Sequence, residues 1–241
     1  MARRRKEPKQ RALPFKSWGG WRAGAGRKRD PNSGVSHLRR PKITRHRPAH
    51  ATLKLIRDLR SLRTKKKVHT IRRAIAAACR GRGFRIIDWS VQHDHIHLMV
   101  EAHSTERLSR GMQGLTIRIA RGLNRTLERN GGVFADRYHL RVLSTPQEVR
   151  NCRAYVLNNN RRHAAQRGVR IDRRSIDPFS SAAWFDGWKD CPQACRERAR
   201  DGWEGPPPVN QPRSWLMRVA WREVEAGLIR IAEVPRGCAQ R

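Results

Sequence analysis

Two histidines stand two residues apart, His95 and His97, inside the segment Val91-Gln92-His93-Asp94-His95-Ile96-His97-Leu98-Met99-Val100. The run is apolar and β-branched and reads as a buried strand. Residues i and i+2 of a strand share a face, so His95 and His97 point together while Ile96, Leu98 and Val100 face the other way. Taken alone, such a pair reads more readily as solvated or satisfied in the core than as half of a metal site. A second set strengthens the metal reading. Tyr155 and Asn159, four apart on a predicted late helix, lie on one helical face about a turn from each other. Packed on the sheet face that displays the histidines, this helix would bring a hydroxyl and an amide oxygen to the imidazoles.

Two neutral imidazoles, an amide oxygen and open positions suit a divalent ion such as Mn2+ or Mg2+. The preference of magnesium for oxygen ligands tilts the choice towards manganese. Such an ion polarises a phosphoryl oxygen and orients a scissile phosphate. Tyr155 then supplies a nucleophile for a covalent intermediate. The chain has two tyrosines, and the rival, Tyr138, sits on a strand beside Leu140, where it reads as packing.

The elements that must position these groups are legible as patterns. Leu53 and Leu55 alternate with Thr52 and Lys54 in a half-buried strand. Val68, Ile71, Ile75 and Ala78 recur at helical spacing over residues 63–79, and Gly81 and Gly83 end that helix. Over 85–91, Ile87, Trp89 and Val91 alternate with Ile86, Asp88 and Ser90, and a turn at His93-Asp94 leads into the histidine strand as a hairpin. Ser104-Thr105 caps a long helix to about residue 129, with Leu108, Met112, Leu115, Ile119 and Leu123 as its stripe. A strand over 133–143 and a helix from Thr145-Pro146 to about residue 166 complete the order. The fold class is therefore α+β: a ferredoxin-like βαββαβ antiparallel sheet with an added C-terminal helix that bears the tyrosine.

Three regions are expected: a basic disordered arm over 1–47, the domain over 48–170, and a Trp- and Pro-rich extension over 171–241 that wraps the domain. Within the arm, Trp18 to Lys28 interleaves aromatics, glycines and cations, a pattern suited to a minor groove or to unpaired bases. The extension carries Trp184, Trp188, Trp203, Trp215 and Trp221 and one helix over about 214–226.

The net charge of +34, with 31% charged residues, makes the surface cationic almost everywhere, which attracts polyanions through counterion release. Nucleic acid is the expected partner. No basic amphipathic helix or lipidation signal points to a membrane. No run of 18 apolar residues spans one, and the Arg-rich N-terminus lacks the apolar core of a secretory signal. Five cysteines at irregular spacing fit a reduced, cytoplasmic (nucleoid-associated) setting; Cys191 and Cys195 lack the second pair of a zinc site. Arg118, Arg121 and Arg125 line one face of the long helix, where they either follow a DNA backbone or form a solvated face. Arg137, His139 and Arg141 share a strand face and are stronger candidates for a DNA groove.

In three pieces the chain resembles the HUH single-tyrosine transposases, especially the REP-associated tyrosine transposases of bacteria. The pieces are Asp94-His95-Ile96-His97, Gly132-Val133-Phe134-Ala135-Asp136-Arg137-Tyr138-His139, and Tyr155-Val156-Leu157-Asn158-Asn159; the similarity spans about 50–167. The resemblance implies His95 and His97 as metal ligands, Asn159 as the third ligand and Tyr155 as the nucleophile on single-stranded DNA. The products would be a 5′-phosphotyrosine link and a free 3′-OH, at sites marked by imperfect hairpins and a short guide sequence. Many relatives carry a proline after the helix asparagine, whereas Asn160 stands here, so the helix is expected to continue and His163 competes as a ligand. His93 is left without a role. Relatives act as homodimers or, among REP-associated members, alone.

Two other functions compete. One is a non-catalytic DNA- or RNA-binding protein on the same scaffold, whose sheet would carry stacking aromatics where this strand has His95, His97 and Met99. The other is a metal-dependent nuclease that hydrolyses with water.

Overall fold

The computed structural model describes residues 40–235. Positions 1–39 of the expected arm, with its Trp18–Lys28 tract, and Cys238 lie outside the described residues. The arm's last residues are packed, so ordered structure starts before position 48. Ile43 is buried, its amide donates to Thr105 Oγ1, and Thr44 forms a bridge with Ser104. An isolated apolar residue in a cationic stretch carries no periodicity, which is why the sequence pattern passes over it.

Four strands form one antiparallel sheet in the order β2-β3-β1-β4, with β1 Ala49–Lys54, β2 Phe84–Val91, β3 His95–Ala102 and β4 His139–Val142. Helices α1 (Lys65–Ala78) and α2 (Thr105–Thr126) connect them. They cover one face: Ile71, Ile75, Leu108, Met112 and Ile119 pack with Ile96, Leu98 and Val100 of β3. The Ser104 hydroxyl caps α2 by accepting from the Arg107 amide at 3.3 Å. This is the ferredoxin-like arrangement that the element order predicts.

Three local readings change. A bulge between Ile86 and Asp88 shifts the register of β2, so Ile86, Trp89 and Val91 face α1 and α2 while Ile87 turns to the other side. The extra residue of a bulge breaks strict alternation. Strand β4 is four residues long rather than spanning 133–143, and Phe134 makes only an isolated bridge with Leu55. The late helix is split at Asn158 into α3 (Pro146–Leu157) and α4 (Asn159–Gln166). Three consecutive asparagines are weak helix formers whose side chains compete for the backbone, and Asn158 Nδ2 donates instead to Arg230 O at 3.0 Å.

The other sheet face carries α3 and, outside it, the extension. Here Ile87 and Met99 of the sheet, Val149, Cys152 and Val156 of α3, and Phe185, Trp188, Met217 and Trp221 of the extension form a second core. The extension holds helices α5 (Gln193–Arg200) and α6 (Trp215–Arg218); the helix expected over 214–226 is reduced to α6 and a 3-10 turn at Ala220–Arg222. Residues 177–181 run beside β2, where Val91 N donates to Phe179 O and Trp89 N to Ser181 Oγ, which covers that edge. Among the described residues, no helix is long and apolar enough to cross a membrane.

Candidate metal and nucleophile site

Register decides what faces α3. Cross-strand partners share a face, so the pairs Ser90–His97, Thr52–His97 and Thr52–His139 form one row of the sheet. The next row is Asp88, Met99, His50 and Arg141. His95, one step further along β3, pairs with Lys54. This face therefore gathers His95, His97, His50 and His139, and α3 lays Tyr155 over it.

The imidazoles are held in a definite arrangement. His95 Nε2 and His97 Nε2 are 3.0 Å apart. Each ring's other nitrogen is engaged: His95 Nδ1 with Asp94 Oδ1 at 2.7 Å, and His97 Nδ1 with His50 Nε2 at 3.1 Å and Thr52 Oγ1 at 3.2 Å. Burial, followed by the nearby His50, His95 and His163, holds the His97 pKa well below its ordinary value. A neutral imidazole keeps a lone pair for a ligand. Partial burial works against Asp94, yet hydrogen bonding to His95 holds its carboxyl below the usual carboxylate range.

The phenol of Tyr155 is in place beside them. Its ring centroid lies 5.1 Å from that of His97 and 6.1 Å from that of His50, edge-on to both. The Arg162 guanidinium carbon lies 5.6 Å from the ring centre. Tyr138, in contrast, is packed on the α1/α2 side of the sheet, with the Arg40 guanidinium 3.4 Å over its ring. Burial pushes its hydroxyl pKa up, so Tyr138 fits the packing reading.

Asn159 opens α4 one turn after Tyr155. It is fully buried, and neither side-chain amide atom has a hydrogen-bond partner. Orphaned buried amides are rare and costly, and a cation bound to the amide oxygen would satisfy that atom. The histidine pair fits the same group. Two nitrogens that share a cation at about 2.1 Å and about 90° stand about 3.0 Å apart. Among the described residues no group of three His, Cys, Asp or Glu could hold a metal ion. His163 lies 6.5 Å from His95 between ring centroids, against 4.6 Å for His95 and His97.

The cationic candidates separate. Arg141 and His139 lie on the histidine face, but Arg141 Nη2 donates to Glu148 Oε1 at 2.7 Å as part of the α3 cap. Arg137 precedes β4, where its amide donates to Asp136 Oδ1. Arg118, Arg121 and Arg125 line a depression of about 350 Å³ between α1 and α2, on the opposite side of the sheet. Sequence reasoning passed over His50. The available signal was parity: His50 stands two before Thr52 on the face already assigned to polar residues.

Residues 54–159 match the family described as "Transposase IS200 like". No curated protein matches the chain. A solved structure described as "Structure of the REP associates tyrosine transposase bound to a REP hairpin" is 21% identical, with 54% of this chain and 74% of that chain covered and a TM-score of 0.44. The matched stretch runs from the end of β1 to the first residue of α4 and takes in both motif histidines and Tyr155, so over these residues the chain is similar to the IS200-like transposases.

Proposed function

We propose that this protein cleaves and rejoins single-stranded DNA at hairpin-associated sites through a covalent 5′-phosphotyrosine link to Tyr155. The observation that carries the reading is the Tyr155 ring, 5.1 Å from the His97 ring of the same chain, above two converging imidazole nitrogens. His95, His97 and Asn159 would hold a divalent ion, manganese ahead of magnesium. When bound, that ion supplies charge that polarises a non-bridging phosphate oxygen and orients the scissile group.

The chain's own groups do the rest. The Tyr155 oxygen attacks phosphorus as its proton departs; one P–O bond forms to the phenol and the bond to the 3′ oxygen breaks, that oxygen taking up a proton. Attack by a 3′-OH on the phosphotyrosine reverses the exchange, so bond energy is conserved and no nucleotide cofactor is needed. Tyr155 lies beside His97 of its own chain, so the nucleophile and the imidazoles come from one copy in this reading. Arg118, Arg121 and Arg125 on α2 and Arg137 before β4 supply cationic contacts for the DNA backbone, with His139 a hydrogen-bonding contact and Arg141 already held by Glu148.

The test mixes purified protein with labelled single-stranded hairpin DNA and Mn2+ and looks for a denaturation-resistant adduct. The adduct is expected with wild type and lost with Tyr155→Phe, His97→Ala or added chelator. An adduct that survives Tyr155→Phe reassigns the nucleophile, Tyr138 first. Cleavage that persists in Tyr155→Phe without an adduct replaces the reading with hydrolysis by water.

A further inference from the structure

We infer that His50 is a positioning residue that determines which nitrogen of His97 is presented to the cation; the inference rests on the metal reading above. For His97 to offer a lone pair at Nε2, its proton must sit on Nδ1. An Nδ1–H in a buried place needs an acceptor. His97 is 3% exposed, and its Nδ1 meets two groups from β1, His50 Nε2 at 3.1 Å and Thr52 Oγ1 at 3.2 Å.

His50 is the better orienter of the two. Its ring is 6% exposed and lies 5.0 Å from the His97 ring, tilted by 34°, while its edge meets Tyr155 at 6.1 Å. One ring therefore braces both the ligand and the phenol, whereas the threonine hydroxyl is placed against His97 Nδ1. With Nε2 accepting, the His50 proton sits on Nδ1, and the imidazole pair is fixed in complementary tautomers. The two motif histidines thus use different supports. His95 leans on Asp94 of its own turn, and His97 leans on a strand about 45 residues earlier in the chain. Outer-shell partners of ligating histidines orient the ring and raise its basicity, and their loss lowers metal affinity about 10–100-fold.

The test measures Mn2+ binding to DNA-free, full-length protein by electron paramagnetic resonance, in wild type, His50→Ala, His50→Phe, His50→Gln, Thr52→Val and His97→Ala. Melting is followed in chelator, and His50→Phe keeps the ring volume should His50→Ala fail to fold. The expected result is a loss of about 10–100-fold in affinity for His50→Phe and His50→Ala. In His50→Gln the amide oxygen accepts at similar reach, so affinity stays within a few-fold of wild type. Wild-type affinity in folded His50→Phe overturns the inference, as does a loss confined to Thr52→Val. His50→Gln as weak as His50→Phe also overturns it, because acceptance of the Nδ1 proton would then not be the cause. Wild type that takes up no more Mn2+ than His97→Ala removes the metal reading itself, and this inference with it.

Discussion

Replacing Arg153 with methionine isolates the interaction that pins the tyrosine helix to the sheet. Arg153 sits two residues before Tyr155 on α3. Its Nε donates to Asp88 Oδ2 of β2 at 2.8 Å, and its Nη1 donates to Met217 O of α6 at 3.1 Å. Its guanidinium lies between the Phe185 and Trp221 rings, 5.0 and 4.7 Å from their centres. Both side chains of the ion pair are 3% exposed. Removing one partner of such a pair leaves a buried charge without compensation and costs about 3–5 kcal/mol.

The pH dependence has a definite sign. Burial pushes the Asp88 carboxyl above the usual carboxylate range even with Arg153 beside it, and without Arg153 it rises further. A carboxyl whose folded pKa is raised contributes stability that is complete below the unfolded value and is lost as pH climbs to the folded one. A penalty of about 3–5 kcal/mol corresponds to about two to four pH units at 1.36 kcal/mol each. The deficit of Arg153→Met at pH 7 should therefore shrink by half or more at pH 5. Urea unfolding followed by tryptophan fluorescence at both pH values measures it. The double replacement Asp88→Leu/Arg153→Met, which removes both charges, should return stability to wild type or raise it by about 1–4 kcal/mol. A single-variant deficit under about 1 kcal/mol, a deficit that grows at pH 5, or a double variant no better than the single one refutes the reasoning.

Two glycines of α2 should respond to alanine with opposite signs. At Gly111 a Cβ would come within 2.2 Å of Phe84 Cγ, a buried ring of β2, so Gly111→Ala should destabilise by about 1–3 kcal/mol in thermal melting. At Gly114 it meets only the end of the Arg118 side chain at 3.0 Å, so Gly114→Ala should stabilise by about 0.5–1 kcal/mol. Replacing Arg118, Arg121 and Arg125 together with glutamine should flatten the salt dependence of DNA binding, by up to about 0.9 in log–log slope for each phosphate no longer neutralised. An unchanged slope would show that the α1/α2 depression does not meet DNA.

Much of the architecture is visible before folding because it is written in short-range periodicity. The parity of His95 and His97 against Ile96 and Leu98 set the pair on the opposite face from those residues, and the structure keeps it there, with Ile96 and Leu98 turned to α1 and α2. Where local pattern failed, a distant partner had intervened. The bulge at Ile87 realigns β2 against β3, Asn158 leaves the helix to bond Arg230, and Ile43 finds the start of α2.

The sequence by itself therefore determined which residues alternate, which share a helical turn, and that the surface is overwhelmingly cationic, since each of these depends only on neighbours along the chain or on composition. Tertiary structure alone decided the register within the sheet, and with it that His50 meets His97 and that Asp88 meets Arg153. Strand pairing joins residues dozens of positions apart, and its register is set by which whole faces can be buried together, a quantity that no local window contains.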